Sequence, residues 1–345
     1  MSNSGLPFDD FRELISQLPE ASEFASESVR EREDGLSKPV GSLGRLEEIA
    51  EWLAAWSGKA KPQIMRPLVA IFAGNHGVLA QGVSPQPQSL TMDMVNNFAA
   101  GGAAINQICI ANDLGLKVFD LALEHPTEDI TVAAAMDERS CAATMAFGME
   151  AIAGGTDLLC IGEMGVGNTT IAAAICLALF GGQAEDWVSL AAGEGGTDDA
   201  AVLAAKIAAV KKAVALNDGQ LRDPLEVLRR LGGRELAAIS GAILAARAEK
   251  IPVLIDGYVA SAAAAILLAM NSEALDHCMF SHVSVEKGHH LLLEKLGKQP
   301  LLDLNISLGS GVGAALAAGI VKTAAQCHIG MATAEDAGMN GRIVS

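Results

Sequence analysis

Short apolar runs that alternate with alanine-rich stretches constrain the fold of this 345-residue chain more than any other feature. Four runs stand out, each bounded by glycine or polar residues: PLVAIFAG (67–74), GLKVFDLAL (115–123), DLLCIGE (157–163) and IPVLIDG (251–257). Near-continuous hydrophobicity is typical of strands buried on both faces, and helical crossovers between such strands build a parallel sheet. The pattern predicts an α/β fold with a doubly wound, mainly parallel sheet.

Charge and cysteine usage restrict the partners and the compartment of the chain. Its 41 acidic residues exceed its 24 Lys and Arg, giving a net charge of −17, so we expect no nucleic-acid partner and no anionic membrane. The six cysteines form no Cys-x-x-Cys pair, and the first residues lack the basic and apolar regions of a signal peptide. The most apolar segments, 169–181 and 253–270, are too short or too interrupted to span a bilayer. These features predict a cytoplasmic protein.

Polar residues follow three of the predicted strands at the point where each strand ends. They are Gly74-Asn75-His76-Gly77, Glu163 and Asp256-Gly257. Ligands of doubly wound sheets bind beyond the carboxyl ends of the strands, so the three segments are expected to converge on one functional edge. We interpret His76 as a supporting residue, because no His or Cys stands near it at metal-ligand spacing. No metal site is predicted.

The segment from Gly162 to Thr170, GEMGVGNTT, lies between an apolar strand and an alanine-rich helix. Gly165 and Gly167 let backbone amides approach an anion, and the helix N-terminus adds unpaired N–H groups. The spacing approaches that of a P-loop, but Asn168 stands in the lysine position, which disfavours ATP hydrolysis. The segment predicts a phosphate-binding turn, and an ordinary tight turn is the alternative.

Five segments together resemble the nicotinate-nucleotide–dimethylbenzimidazole phosphoribosyltransferase family of cobalamin lower-ligand assembly. In order, they are KPVGSLGRLE (38–47), GNHG (74–77), GGAAIN (101–106), GEMGVGNTT (162–170) and SHVSVEKGH (281–289). The resemblance covers residues 36 to 330. It implies transfer of phosphoribose from nicotinate mononucleotide to 5,6-dimethylbenzimidazole, giving α-ribazole 5′-phosphate and nicotinate, with no cofactor.

The resemblance also implies an architecture and a set of nucleotide contacts. It suggests a homodimer with a large α/β substrate-binding domain (61–304) and a small helical domain built from both chain ends (1–60 and 305–345). Lys206 matches the family's phosphate-contacting lysine, while Ser284 and Asp256 match polar positions around the ribosyl phosphate.

The chain departs from the family at the position of the general base. Relatives carry Arg-Leu-Gly-Glu-Gly-Thr-Gly, whose glutamate takes the proton of the incoming base, whereas this chain reads SLGSGVG over 307–313. Gly309 and Gly311 preserve the glycine framework, but Ser310 replaces the glutamate. A serine hydroxyl is a poor base near neutral pH, so impaired activity is expected.

The resemblance places the acceptor-binding residues at Ser84, Gln86, Asp93 and Leu308. Relatives usually have an aromatic residue near position 86 and glutamine near position 93. Gln86 weakens stacking on a bicyclic base, and Asp93 adds a charge. The acceptor is therefore dimethylbenzimidazole or a related base.

Two interpretations of the lost glutamate remain open. Glu163, which matches an active-site glutamate of the family, can replace the base if burial raises its pKa. Alternatively nothing replaces it, and the chain is a non-catalytic nucleotide-binding subunit, either a pseudoenzyme or a partner in a heterodimer.

Overall fold

A computed structural model describes residues 5–190 and 199–339. One sheet contains β1 (Pro67–Ala73), β2 (Gly115–Asp120), β3 (Leu158–Met164), β4 (Val253–Ile255), β5 (Cys278–Val283) and β6 (Pro300–Asp303). Its strand order is β2-β1-β3-β4-β5-β6, and all five pairings are parallel. The predicted doubly wound α/β class is confirmed.

Helices surround the sheet and connect its strands. In chain order they are α1 (Asp9–Ser16), α2 (Glu23–Gly35), α3 (Arg45–Ser57), α4 (Leu90–Ala99), α5 (Ala104–Asn112), α6 (Glu138–Met149), α7 (Asn168–Phe180), α8 (Ala184–Trp187), α9 (Asp199–Leu216), α10 (Pro224–Leu231), α11 (Arg234–Ala248), α12 (Gly257–Met270), α13 (Lys287–Leu296) and α14 (Val312–Gly330). Short 3₁₀ turns occupy Gly77–Gln81 and Glu150–Ile152.

Side chains of β3 alternate between two apolar cores, one on each face of the sheet. Leu159 and Ile161 join the core formed with α6, α7, α10, α11 and α12. Leu158 and Cys160 join the core formed with α3, α5 and α14. Because both faces of β3 are covered, it reads as a continuous apolar run in the sequence.

The two chain ends pack at different places. Among the described residues, α2, α3 and α14 contact one another, as a small helical unit requires. α1 instead joins the core of the opposite face: Asn271 donates a hydrogen bond to the carbonyl of Ile15 at 2.9 Å, and Arg12 pairs with Asp223 at 2.5 Å. The proposed division at residues 60 and 305 therefore leaves α1 packed on the large unit. The two ends of the predicted small domain, residues 1–4 and 340–345, lie outside the described residues.

α14 is the one described helix long and apolar enough to cross a membrane by length and composition. It contacts α3, α5 and the sheet, and 56% of its most apolar window is buried within the protein. This packing is that of a core helix.

Candidate active site

The site lies where the carboxyl ends of β1, β3, β4 and β5 meet. The order β2-β1-β3 reverses the direction of winding between β1 and β3, which opens a crevice at this edge. A cavity of about 60 Å³ adjoins it. Residues that line this cavity include Glu163, Thr169, His282, Ser284, Glu286 and Gly309.

Glu163 occupies the next-to-last position of β3 and faces the cavity, with 9% of its surface exposed. Burial raises the pKa of Glu163 to about 8, and the nearby carboxyl groups of Glu235 and Asp256 reinforce the rise. The side-chain amide of Asn168 donates a hydrogen bond to this carboxyl group and opposes the shift. Once ionised, such a group is a stronger base than an ordinary carboxylate.

The turn of Gly165, Val166 and Gly167 leads directly into α7. Gly167 takes the left-handed conformation, with φ of 85°, which permits an abrupt entry into the helix. The N–H of Val166 donates to the hydroxyl of Thr91 at 3.3 Å, so the start of α4 supports the turn. The free N–H groups at a helix N-terminus suit a phosphate.

Lys206 brings a cation to this turn from α9. Its side chain is 1% exposed, and Nζ donates to the hydroxyl of Thr169 in the first turn of α7 at 2.8 Å. Thr169 itself lines the cavity. The structure thus brings Lys206 from α9 to the predicted turn and to Glu163, which lie next to each other at the end of β3.

Asp256 lies at the same edge, but its carboxylate is bonded to the protein. It accepts hydrogen bonds from the N–H groups of Gly311 at 3.0 Å and Ala314 at 2.9 Å, and thereby caps α14. Burial raises its pKa, whereas His282, at 3.5 Å, and these N–H groups act in the opposite direction. Asp256 consequently supports the turn at 309–311.

Ser284 lines the cavity and rests on a buried histidine. Its N–H donates to Nδ1 of His289 at 3.0 Å, and its hydroxyl lies 2.8 Å from the same nitrogen. Burial lowers the pKa of His289 to about 3, so the ring is neutral. Nδ1 accepts from Ser284, while Nε2 faces the hydroxyl of Ser261 at 3.1 Å. This network fixes the position of Ser284.

Ser310 is 3% exposed, and its hydroxyl has no hydrogen-bond partner among the described residues. Its N–H donates to the carbonyl of Glu163 at 3.1 Å. A Cβ built on Gly309 would lie 2.9 Å from Oε1 of Glu163, so the 309–311 turn directly covers that carboxyl group. Ser310, which stands where the family has its glutamate, therefore lies next to Glu163. Glu163 is the buried carboxyl group that the sequence suggested as a replacement for that glutamate.

The predicted acceptor residues lie outside the cavity. Gln86 and Asp93 are exposed, and 57% of the Leu308 surface is exposed. The hydroxyl of Ser84 accepts from the N–H of Gln86 at 3.2 Å. Ser84, Gln86 and Asp93 belong to the segment around the start of α4, whose Thr91 contacts the turn before α7. Their role in acceptor binding stays a prediction.

Sequence reasoning missed two buried residues of this region. Thr91 lies between the predicted acceptor residues Gln86 and Asp93 but was not itself predicted, and Glu235 lies in an alanine-rich helix. Only the fold brings them to the site. Within residues 5–190 and 199–339, no group of three or more His, Cys, Asp or Glu could hold a metal ion.

Comparison with known proteins assigns the family. The sequence pattern of a family described as "Phosphoribosyltransferase" matches residues 18–339. Nicotinate-nucleotide–dimethylbenzimidazole phosphoribosyltransferases from Brucella anthropi and Brucella canis are each 71% identical to this chain. Each alignment covers 99% of this chain and 99% of the relative.

Solved structures give the same result. A crystal structure of nicotinate-nucleotide–dimethylbenzimidazole phosphoribosyltransferase from Thermus thermophilus aligns with a TM-score of 0.84 and 38% identity, covering 92% of this chain and 99% of that one. A second structure from that organism also has a TM-score of 0.84, with 39% identity, and covers 91% of this chain and 98% of that one. The chain belongs to the nicotinate-nucleotide–dimethylbenzimidazole phosphoribosyltransferase family.

Proposed function

We propose that this enzyme transfers the phosphoribosyl group of nicotinate mononucleotide to 5,6-dimethylbenzimidazole or a closely related base. The products are α-ribazole 5′-phosphate and nicotinate. The observation that carries the proposal is the buried Glu163 carboxyl group, whose pKa is raised to about 8, beside the α7 N-terminus and Lys206. Family membership at 71% identity over nearly the whole chain supports the substrates.

The phosphate of the mononucleotide binds at the start of α7. Its negative charge is matched by the positive end of the helix and by Lys206, whose Nζ already lies at the first turn. Ser284, which also lines the cavity, adds a polar group held in place by His289. The cavity of about 60 Å³ is smaller than ordinary ligand pockets, so mononucleotide binding must widen it.

The transfer is a substitution at the anomeric carbon of the ribose. One imidazole nitrogen of the acceptor forms the new C–N bond, while the bond to nicotinate breaks and its electron pair returns to the pyridine nitrogen. The other acceptor nitrogen loses its proton to the Glu163 carboxylate. The leaving group is a pyridinium and needs no acid, so the main proton transfer is the one to the base. A general base increases the reaction rate ~10²–10⁴-fold in typical enzymes.

Glu163 must be ionised to accept that proton. Its pKa of about 8 means that the ionised fraction, and with it kcat/KM, increases about tenfold per pH unit below pH 8 and levels off roughly one pH unit above it. The rate is expected to be below that of relatives, because Ser310 supplies no carboxylate at the family position.

Glu163→Gln tests this assignment. Glutamine preserves the size and the contact with Asn168 but accepts no proton, so we expect kcat to fall by about 10²-fold or more with a smaller change in KM. Nicotinate and α-ribazole phosphate are quantified by chromatography after incubation with both substrates. Asp303→Asn, an exposed change at the end of β6, is the control. Wild-type rates in Glu163→Gln would show that Glu163 is not the base.

The second candidate is a non-catalytic nucleotide-binding subunit of the same fold. The unpartnered hydroxyl of Ser310 at the family's base position, seen among the described residues, favours it. Calorimetry with nicotinate mononucleotide separates the two: binding without any nicotinate release supports the subunit, and turnover excludes it. On the family resemblance, we also propose a homodimer located in the cytoplasm.

A further inference from the structure

His282 is a buried histidine of the site to which the proposed function gives no role. It lies near the end of β5, is 1% exposed, and lines the cavity together with Glu163 and Ser284. A buried imidazole ring normally has a hydrogen-bond partner at each nitrogen, because an unpaired buried polar atom is costly. The surroundings of its two nitrogens therefore indicate what His282 can bind.

Two oxygen acceptors face Nδ1 of His282. The hydroxyl of Ser281 lies 3.1 Å from this nitrogen and donates its own hydrogen to the carbonyl of Ile255 at 2.8 Å. Oδ1 of Asp256 lies 3.5 Å from the same nitrogen. In a neutral imidazole one nitrogen carries the hydrogen and the other a lone pair. Because both neighbours of Nδ1 accept, the hydrogen belongs on Nδ1 and the lone pair on Nε2.

The start of α14 encloses the Nδ1 side of the ring. A Cβ built on Gly313 would overlap the imidazole of His282, so no side chain fits between them. A Cβ on Gly257, which also lines the cavity, would lie 3.8 Å from Cε1 of the ring. The edge of the ring left to face the cavity is the one that carries Nε2. Within residues 5–190 and 199–339, Nε2 has no hydrogen-bond partner.

We propose that Nε2 of His282 accepts a hydrogen bond from a ribose hydroxyl of the bound mononucleotide. His282 thereby selects a ribonucleotide over a deoxyribonucleotide. The inference rests on the proposed function and names one substrate contact of the same site. His282 acts here as a binding residue and takes no proton from the acceptor base.

The chemistry of nicotinate mononucleotide explains why a hydroxyl is the partner. Near neutral pH its carboxylate and phosphate are mainly ionised and present acceptor oxygens, and its pyridinium nitrogen carries no hydrogen. The two ribose hydroxyls are therefore its hydrogen-bond donors. Lys206 and the N-terminus of α7 supply the donors that the phosphate needs. A lone pair on Nε2 opposes anionic oxygens but matches a hydroxyl hydrogen.

The wild-type protein tests the inference without any substitution. Calorimetry compares the affinities of nicotinate mononucleotide and of its 2′-deoxy and 3′-deoxy analogues, in the absence of an acceptor base. We expect the analogue that lacks the bonded hydroxyl to bind about tenfold more weakly or worse, because Nε2 then stays buried without a partner. Equal affinities for all three nucleotides overturn the inference.

His282→Asn separates the contact from a structural role. Its amide can donate to Asp256 and Ser281, but it places no acceptor where Nε2 was. We expect the affinity for the ribonucleotide to fall about tenfold, to that of the deoxy analogue, and the affinity for the analogue to stay the same. His282→Gln, whose longer side chain returns an amide to the Nε2 position, should recover part of the preference. Equal weakening of both nucleotides in His282→Asn overturns the inference.

The same strand offers a matched control at its other end. His277 directly precedes β5, is buried, and has Nε2 3.0 Å from the carbonyl of Ile243. His277→Asn disturbs this buried contact away from the cavity, so it should lower stability and keep the wild-type preference for the ribonucleotide. Loss of the preference in this control would assign the effect to packing of the strand and overturn the contact.

The outcomes separate this inference from the proposed function. Binding with the expected preference but without nicotinate release overturns the transfer reaction and supports the contact. Nicotinate release together with equal affinities for the ribonucleotide and both deoxy analogues overturns the inference alone. Absence of mononucleotide binding overturns both. If His282→Asn does not fold, the comparison of the three nucleotides on the wild type still decides.

Discussion

Ser310 has a backbone conformation that favours glycine. Its φ is 57°, and its buried hydroxyl lacks a partner among the described residues. Left-handed backbone costs a non-glycine residue about 1–2 kcal/mol, and an unpaired buried hydroxyl adds a cost of about 1–3 kcal/mol. The turn that covers Glu163 requires the left-handed backbone at position 310, which explains why Ser310 bears these costs.

Ser310→Gly should therefore stabilise the protein by about 1–4 kcal/mol, because it removes both the strain and the unpaired hydroxyl, while the greater freedom of glycine in the unfolded chain offsets part of the gain. Denaturant unfolding measures the change. Ser310→Ala is the informative comparison, since it removes the hydroxyl and keeps the strained backbone, and its gain should be smaller. A loss of stability in Ser310→Gly would mean that the hydroxyl contributes a favourable contact.

At the scale of residues, the sequence predicted where Glu163 and the glycine turn lie but not the long-range contacts that support them. Glu163 and the turn at 165–167 were predictable because a glycine-rich segment after a buried strand marks the functional edge of such sheets. Asp256 was predicted at that edge, but its caps on Gly311 and Ala314 depend on where α14 docks. Local sequence contains no signal for such a long-range contact.

At the scale of elements, Asp256 supplies the hydrogen-bond acceptors for backbone N–H groups at the start of α14. The two carboxylate oxygens of Asp256 accept from two N–H groups at this helix end, and the same end carries the 309–311 turn over Glu163. The cap of α14 and the turn that covers Glu163 therefore form one structure.

Asp256→Asn should destabilise the protein by about 2–4 kcal/mol, because one acceptor becomes a donor that faces a backbone N–H in a buried site. Thermal unfolding measures this loss, and nicotinate release should fall as well because the turn over Glu163 shifts. Asp303→Asn provides an exposed carboxylate for comparison. Equal unfolding temperatures for the two variants would contradict the capping role.

The elements differed in how visible they were in the sequence. β1 to β4 appear as continuous apolar runs, but β5 carries Ser281 and His282, and β6 begins at Pro300 and has only four residues. α2 has little apolar pattern either, because its sequence is mostly charged and it buries few side chains against α3. Such predictions rely on the periodic spacing of apolar residues, and polar residues that are buried by tertiary contacts interrupt that spacing.

For the whole molecule, the sheet with its two helical layers provides a rigid base beneath a site assembled from distant segments. Glu163, Lys206, Glu235, Asp256 and Ser310 reach one edge only when every crossover is in place. Apolar runs typical of strands buried on both faces predicted the sheet. The packing of α1 on the large unit was not visible, because the apolar residues Phe8, Phe11 and Ile15 do not indicate which surface they cover.

A crystal structure with bound nicotinate mononucleotide tests the central claim most directly. The account predicts the phosphate at the N-terminus of α7, within hydrogen-bond distance of Lys206 Nζ, and Glu163 facing the anomeric carbon from within the widened cavity. A mononucleotide bound with its phosphate away from α7, or with Glu163 turned away from the ribose, would contradict it.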